Sequence, residues 1–154
     1  MNKTIEQVSE FHKTFDAPIL ESPGIPSQDR CELRVSLMQE ELNEIIDGIS
    51  NGDLVEIADG LADLLYVLNG TILEFGLQDK FDAIYDEVHR SNMSKACQNE
   101  DIAKSTAEYY TLVKETPASY IEKDGKYIVY RDIDNKVLKS IEYSKADIKK
   151  FLNE

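Results

Sequence analysis

Residues 37–68 read LMQEELNEIIDGISNGDLVEIADGLADLLYVL, and the fold turns on how this stretch is understood. It carries Glu40, Glu41, Glu44, Asp47, Asp53, Glu56, Asp59 and Asp63. With Glu74 and Asp79 these make ten carboxylates between Arg34 and Lys80, an interval without Lys, Arg or His. Like charges at helical spacing repel by about 0.2–0.5 kcal/mol per pair, so something outside the stretch must reward the arrangement.

Successive residues on an α-helix lie about 100° apart. A helix from about Asp29 to Ile49 therefore places Glu40, Glu41, Glu44 and Asp47 within an arc of about 120°. Val35, Met38, Leu42, Ile45, Ile46 and Ile49 take the other side, the pattern of an amphipathic helix with a solvated acidic face. SNGD stops it, and Asp53 caps a second helix that runs to Phe75, where Gly76 ends it. On this second helix Glu56, Asp59 and Asp63 form a stripe about 60° wide. Val55, Ile57, Ala58, Leu61, Ala62, Leu64, Leu65, Tyr66 and Leu68 fill nearly every other direction. A helix apolar almost all round reads as buried, which puts its carboxylates in an interior crevice. Unpaired carboxylates there cost several kcal/mol each, so they acquire a partner or a proton.

Working outward, TIEQVSEFHKTF spaces Ile5, Val8, Phe11 and Phe15 for a short amphipathic helix with Thr4 as its N-cap. DAPILESPGIPSQ is a surface loop. Residues from about Asp79 to Ser94 form a fourth helix, with Phe81, Ile84, Tyr85 and Val88 on one face. The chain then changes character. EDIAKSTAEYYTLVKE predicts a fifth helix ending before Pro117. SYIE, KYIVYR and VLKSIEY predict strands, with the Asp-Gly of KDGK as a hairpin turn. Ser144 and Asp147 suggest the capping box of a short last helix. The expected fold is mainly α: a four-helix-bundle core over residues 1–96, then a small α+β appendage over 97–154 that is not an independent domain.

A formal charge of −13 over 154 residues argues against nucleic-acid polymers and anionic membrane surfaces as partners. Single nucleotides stay open, because a divalent metal can bridge acidic groups to phosphates. The N-terminus is amphipathic rather than a signal sequence, and no apolar run is long enough to span a bilayer. Cys31 and Cys97 lie far apart without a metal-ligand pattern and read as reduced thiols, so a cytoplasmic location is expected. Arg30, Arg34, His89, Arg90 and Lys95 are too few to pair the seven carboxylates Glu40, Glu41, Glu44, Asp47, Glu56, Asp59 and Asp63. Oxygen-only ligands point to Mg²⁺, with Mn²⁺ as substitute, rather than zinc. A di-iron centre usually takes Glu-x-x-His pairs, and neither His12 nor His89 follows a Glu by three.

QEELNE is a literal E-E-x-x-E, and VEIAD supplies E-x-x-D twelve residues later. Together with GDLVEIADGLADLLYVLNGTILEFG and EVHRSNMSK, this order resembles the all-α nucleoside triphosphate pyrophosphohydrolases, the MazG-like and phosphoribosyl-ATP pyrophosphohydrolase-like superfamily. The resemblance covers roughly residues 1–96 and implies a helical bundle, a homodimer or higher oligomer, with Mg²⁺ between the two acidic helices. It implies cleavage of a nucleoside triphosphate to the monophosphate and pyrophosphate. Glu40, Glu41 and Glu44 carry over as metal ligands, with Glu41 or Glu44 orienting or activating the attacking water. The second motif has two alignments. Literally it is Glu56 and Asp59; aligned on A-D-L-L-Y, the family aspartate is Asp63 and the preceding glutamate has become Gly60, with Asp59 a substitute from the next position.

From HRSNMSK, Asn92 and Lys95 are the expected phosphate contacts and share a helix face with His89, which serves equally well as a hydrogen-bonded structural histidine. Arg90 reads as structural. Arg30 and Arg34 are expected in solvent or at a dimer interface, and Tyr66 and Asn69 in the core or a base pocket. The alternatives to nucleotide-pool housecleaning on NTPs or dNTPs are a phosphoribosyl-ATP pyrophosphohydrolase and a non-enzymatic, metal-stabilised interaction or regulatory module.

Overall fold

The computed structural model describes residues 2–152. Its elements in chain order are α1 Lys3–Thr14, α2 Gln28–Asn51, α3 Leu54–Glu74, α4 Phe81–Met93, α5 Glu100–Val113, β1 Ala118–Lys123, β2 Lys126–Arg131 and α6 Lys149–Leu152. The protein is mainly helical, an all-α part followed by a small C-terminal α+β part. It divides into two compact units, Met1–Asp82 and Ala83–Glu154. No helix among the described residues is long and apolar enough to cross a membrane.

In the first unit, Ile5 and Val8 of α1 bury against Ile72 and Leu73 of α3, with Ile19, Leu77 and Phe81 around them. The cap of α1 is Asn2, whose side chain accepts from Ile5 N at 3.1 Å, and not Thr4, which lies inside the helix and donates to Asn2. Asp53 caps α3 as expected, accepting from Val55 N and Glu56 N, an arrangement whose loss to alanine costs about 1 kcal/mol. The turn after α3 needs glycine. Gly76 has φ +66°, and a Cβ on it would sit 2.1 Å from the Ser22 carbonyl oxygen. The loop before α2 is thereby stitched to the end of α3, with Leu20 N donating to Leu73 O and Gly24 N to Phe75 O.

The second unit is built on Cys97, Ala103, Ala107 and Val129, flanked by Ile102, Ala118, Tyr120, Tyr127 and Leu138. β1 and β2 pair antiparallel from Ala118 opposite Arg131 to Lys123 opposite Lys126. Asp124 and Gly125 both have positive φ, the type I′ geometry that the Asp-Gly pair favours. The third predicted strand, VLKSIEY, does not form: it contributes only an isolated bridge, Val137 to Tyr130. Asn135 just before it turns left-handed with φ +55°, and beyond Leu138 the chain leaves the sheet edge. The expected capping box is also absent, because α6 starts at Lys149. Ser144 and Asp147 instead bond α4: Arg90 Nη1 donates to Ser144 Oγ, Ser144 N to Ser94 Oγ, and Asp147 N to Glu87 Oε1.

Candidate functional site

α2 and α3 form an antiparallel pair whose seam is read from its glycines. A Cβ at Gly48 would meet Ile57 Cγ1 at 3.0 Å, and one at Gly60 would meet Ile45 Cγ1 at 2.9 Å and the Glu41 carbonyl at 3.6 Å. A Cβ at Gly70 would meet Arg34 Nη2 at 2.5 Å. The stripe of α2 that faces α3 therefore includes Arg34, Glu41, Ile45 and Gly48. This corrects the expected amphipathic arrangement. Glu41 lies half-buried at the seam, while Val35, Leu42, Ile46 and Ile49 stand exposed away from it.

α3 departs from expectation in the same direction. Its last turns, from Asn69 to Glu74, are largely buried, but Leu54 and Val55 are 75% and 80% exposed and Leu61, Leu65, Tyr66 and Leu68 are open too. Asp59 and Asp63 are exposed and Glu56 half-buried, so within this chain the acidic stripe borders no closed crevice. The all-round apolar pattern predicts burial, and within this chain the structure does not supply it for the first half of α3. α2 covers only one side of the first half of α3.

The acids nevertheless act on one another across the seam. The Glu41 carboxyl is pushed above its ordinary value, first by burial, then by Glu44, Asp63, Glu40 and Asp59 in that order. Two of these carboxylates, Glu40 and Glu44, share α2 with it, and two, Asp59 and Asp63, come from α3. Gly60 of α3 packs beside this group, where a Cβ would lie 3.4 Å from Ile45 N and 3.6 Å from the Glu41 carbonyl oxygen. The carboxylate absent from position 60 leaves the room that Ile45 needs. Among the described residues no three His, Cys, Asp or Glu side chains converge closely enough to hold one metal ion. The donor chemistry, oxygen only, and the mutual repulsion felt by Glu41 fit a hard divalent cation.

The arginines before this group bind an interior carboxylate, Arg34 from a buried position and Arg30 from a partly exposed one. Glu74 is fully buried and accepts from Arg30 Nε at 3.0 Å, Arg30 Nη2 at 2.6 Å and Arg34 Nη1 at 3.4 Å. Arg34, itself buried, also donates to Thr71 Oγ1 at 3.2 Å and to the Val67 carbonyl. Burial pulls the Arg34 pKa down while Glu74 opposes the shift. These interactions assign Arg34 to the interior and tie up most of the Arg30 guanidinium. Sequence reading missed this network, although a lone Glu74 inside the apolar run Ile72–Phe75 was its signal. Nearby, the buried His12 ring places Nδ1 2.9 Å from the Pro18 carbonyl, and Tyr66 packs edge-on to Phe11. Asn69 is buried with its side-chain nitrogen unpartnered.

In the second unit, His89 and Asn92 lie exposed on α4, and Lys95 just beyond it donates to Asn92 Oδ1 at 2.8 Å. Arg90 clamps Glu87 through Nε and Nη2 at 2.8 and 2.9 Å. Glu87 also accepts from Asp147 N and faces Lys150 Nζ at 3.3 Å. Together, and with Arg90 foremost, these hold its carboxyl well below the usual range. Ser91 and the Tyr143 hydroxyl are 2.9 Å apart, and Ser140 N donates to Lys95 O.

This helical fold with carboxylates on two facing helices is that of the all-α pyrophosphohydrolases. The family model described as phosphoribosyl-ATP pyrophosphohydrolase matches residues 8–92, more than half of the chain. The chain belongs to that family, whose members are pyrophosphohydrolases acting on a nucleotide and are typically dependent on a divalent metal. It is also 31% identical to an uncharacterised protein of Acanthamoeba polyphaga mimivirus, over 88% of this chain and 90% of that protein.

Proposed function

We propose that the protein hydrolyses a nucleoside triphosphate, NTP or dNTP, to the nucleoside monophosphate and pyrophosphate in a Mg²⁺-dependent reaction. The observation that carries this reading is the Glu41 carboxyl, half-buried at the α2–α3 seam and raised first by that burial and then by acids from both helices. Such a cluster is costly without a cation and suited to one that arrives with a triphosphate. Glu40, Glu41, Glu44 and Asp63 would hold the metal, with Asp59 and Glu56 beside them. When bound, Mg²⁺ supplies charge neutralisation at the phosphates and acidifies a bound water. Water attacks the α-phosphorus, the bond from that phosphorus to the bridging oxygen breaks, and pyrophosphate leaves with the bond electrons. Glu41 or Glu44 accepts the proton of the attacking water. Asn92, Lys95 and His89 are the proposed phosphate contacts.

The exposed apolar rows of α2 and α3, Leu42, Ile46, Ile49, Val55, Leu61 and Leu65 among them, support a homodimer or higher oligomer built on this face. A partner there would also remove the acidic stripe from open water. A cytoplasmic setting accords with the two free cysteines.

A second reading, phosphoribosyl-ATP as substrate, is favoured by the family match itself and requires the same bond cleavage. The discriminating experiment is a turnover screen of canonical and modified NTPs, dNTPs and phosphoribosyl-ATP, with and without Mg²⁺ or Mn²⁺, resolving the nucleotide products. Monophosphate plus pyrophosphate from an NTP or dNTP supports the first reading, and turnover of phosphoribosyl-ATP alone supports the second. Metal-dependent thermal stabilisation without turnover of any of them would replace both with a non-enzymatic, metal-stabilised module.

A further inference from the structure

The two strands of the hairpin are unequally used. Asp132 N donates to Pro117 O just ahead of the register. Bonds between the strands therefore alternate from there, at Ser119, Ile121 and Lys123, and Ala118, Tyr120 and Glu122 turn their backbone groups away from β2. On β2 the outward residues are Tyr127, Val129 and Arg131, and all three are engaged. Tyr127 exchanges two bonds with Cys97 at 2.7 and 3.0 Å, Val129 O accepts from Leu138 N, and Arg131 N donates to Lys136 O. On β1 only Ala118 N is taken, by Thr111 Oγ1 at 3.3 Å. The backbone N–H and C=O of Tyr120 and Glu122 have no partner among the described residues.

An open edge of this kind is a template for another strand, and proteins blunt such edges with charged side chains, proline or bulges. Of these β1 has only Glu122 and Lys123, which a partner of complementary charge would accommodate. β1, ASYIEK, has no proline and no bulge in its register. Its face away from α5 shows Ser119, Ile121 and Lys123, with Ile121 half exposed.

We propose that β1 pairs antiparallel with β1 of a second copy of this chain, about a two-fold axis at Ile121, giving a four-stranded sheet in the order β2, β1, β1, β2. This register is singled out by the free groups. With Ile121 opposite Ile121, Tyr120 stands opposite the second copy's Glu122 and the reverse, and all the unpartnered backbone groups of both residues are satisfied. Moving the axis to Tyr120 pairs Glu122 with Ala118, whose N–H is already committed; moving it to Glu122 pairs Tyr120 with the left-handed Asp124 of the turn. The side chains agree. Ile121 covers its own symmetry mate. Lys123 stands opposite Ser119, whose hydroxyl donates to Asp132 Oδ1 at 2.8 Å, so each ammonium comes within reach of a carboxylate on the other copy. This pairing uses the C-terminal unit alone and stands apart from any association through α2 and α3.

The test is site-directed crosslinking of the full chain in a Cys31→Ser background, at high ionic strength to screen the −13 charge of each copy. A non-hydrogen-bonded antiparallel pair brings Cβ atoms about 4.5–5.5 Å apart, near enough for a disulfide with small adjustment. Ile121→Cys is expected to give a disulfide-linked dimer under mild oxidation, whereas Ser119→Cys, four residues out of register with its mate, is not. Adding Glu122→Pro, which deletes an N–H that the hairpin itself does not use, is expected to cut the Ile121→Cys crosslink by at least about tenfold. No crosslink at position 121, equal crosslinking at 119 and 121, or indifference to Glu122→Pro would each overturn the pairing.

Discussion

Gly70 keeps open the space that the Arg34 guanidinium fills: a Cβ on it would lie 2.5 Å from Arg34 Nη2 and 2.9 Å from His12 Nε2. Glycine within a helix ordinarily costs about 0.5–1 kcal/mol relative to alanine, so its presence here is a packing requirement. Gly70→Ala is expected to destabilise the protein despite the better helix former, by about 3 kcal/mol. The added methyl displaces Arg34 from Glu74 and leaves a buried carboxylate short of a partner. Urea denaturation compares the two proteins, and a stabilised Gly70→Ala would show that the ion network tolerates the shift.

Glu41 and Asp63 separate fold from function. Neutralising Asp63 removes one of the charges that raise the Glu41 carboxyl. Asp63→Asn without metal is therefore expected to be as stable as the parent, or more stable by a few tenths, about 0.2–0.5 kcal/mol. The same variant and Glu41→Gln are expected to lose Mg²⁺-dependent turnover and the rise in melting temperature on adding Mg²⁺. Paired melting curves with and without metal, beside the turnover assay, check both. Parent-like turnover in both variants would remove the acidic cluster as the site.

The exposed row on α3 predicts assembly. Leu65→Arg, made in a Glu122→Pro background that blocks pairing through β1, places a charge in the centre of that row and is expected to lower the mass seen by light scattering to that of a single chain, with helix content retained. An unchanged mass would mean that α3 is covered by something else or by nothing.

How far the sequence could be read depended on what each inference assumed. Some caps and turns follow from local chemistry, as with Asp53 at the start of α3, Gly76 at its end and Asp124 and Gly125 in the hairpin. Others do not: Asn2 rather than Thr4 caps α1, and Ser144 and Asp147 bond to residues of α4 and the turn after it instead of capping α6. The two acidic stripes were equally plain. Which side of α2 meets α3 was not, since periodicity assigns the inside to the apolar side. Here the seam sets Ile45 and Ile57 among small and polar residues, Gly48, Gly60, Gly70, Glu41 and Arg34, while Val35, Leu42, Ile46 and Ile49 point out. The Glu74 network escaped because its partners are 40 and 44 residues away, beyond any local pattern. Likewise VLKSIEY has strand composition, yet only its first residues find a free edge on β2.

Glu87 sets the acid response of the C-terminal segment. Its carboxyl lies well below the ordinary value of 4.5 in the folded state, first through Arg90. A depressed carboxyl contributes stability in full above the unfolded value, and that contribution fades as pH falls through the folded one. Amide exchange at Tyr143–Asp147 is therefore expected to stay slow from about pH 7 down to about pH 4, once corrected for intrinsic rates. Glu87→Gln is expected to exchange faster throughout that range. Loss of protection already near the ordinary carboxylate value in the parent would show that Glu87 does not hold the segment.

The crowding of bonds on β2 also has a temporal side. Everything α1, α2 and α3 need to close on one another is in hand once residue 82 has left the ribosome. The hairpin is different: Tyr127 and Val129 reach back to Cys97 and forward to Leu138, so β2 stays half-bonded until residue 138 has followed. During that interval the β1 edge and the part of the β2 edge that awaits Leu138 are bare at the high local concentration of a polysome, where neighbouring nascent chains carry the same open strand. Synthesis at about 5–20 residues per second would leave this window, from Arg131 to Leu138, open for about a second, and the order of synthesis thereby decides which strand finds Leu138 first.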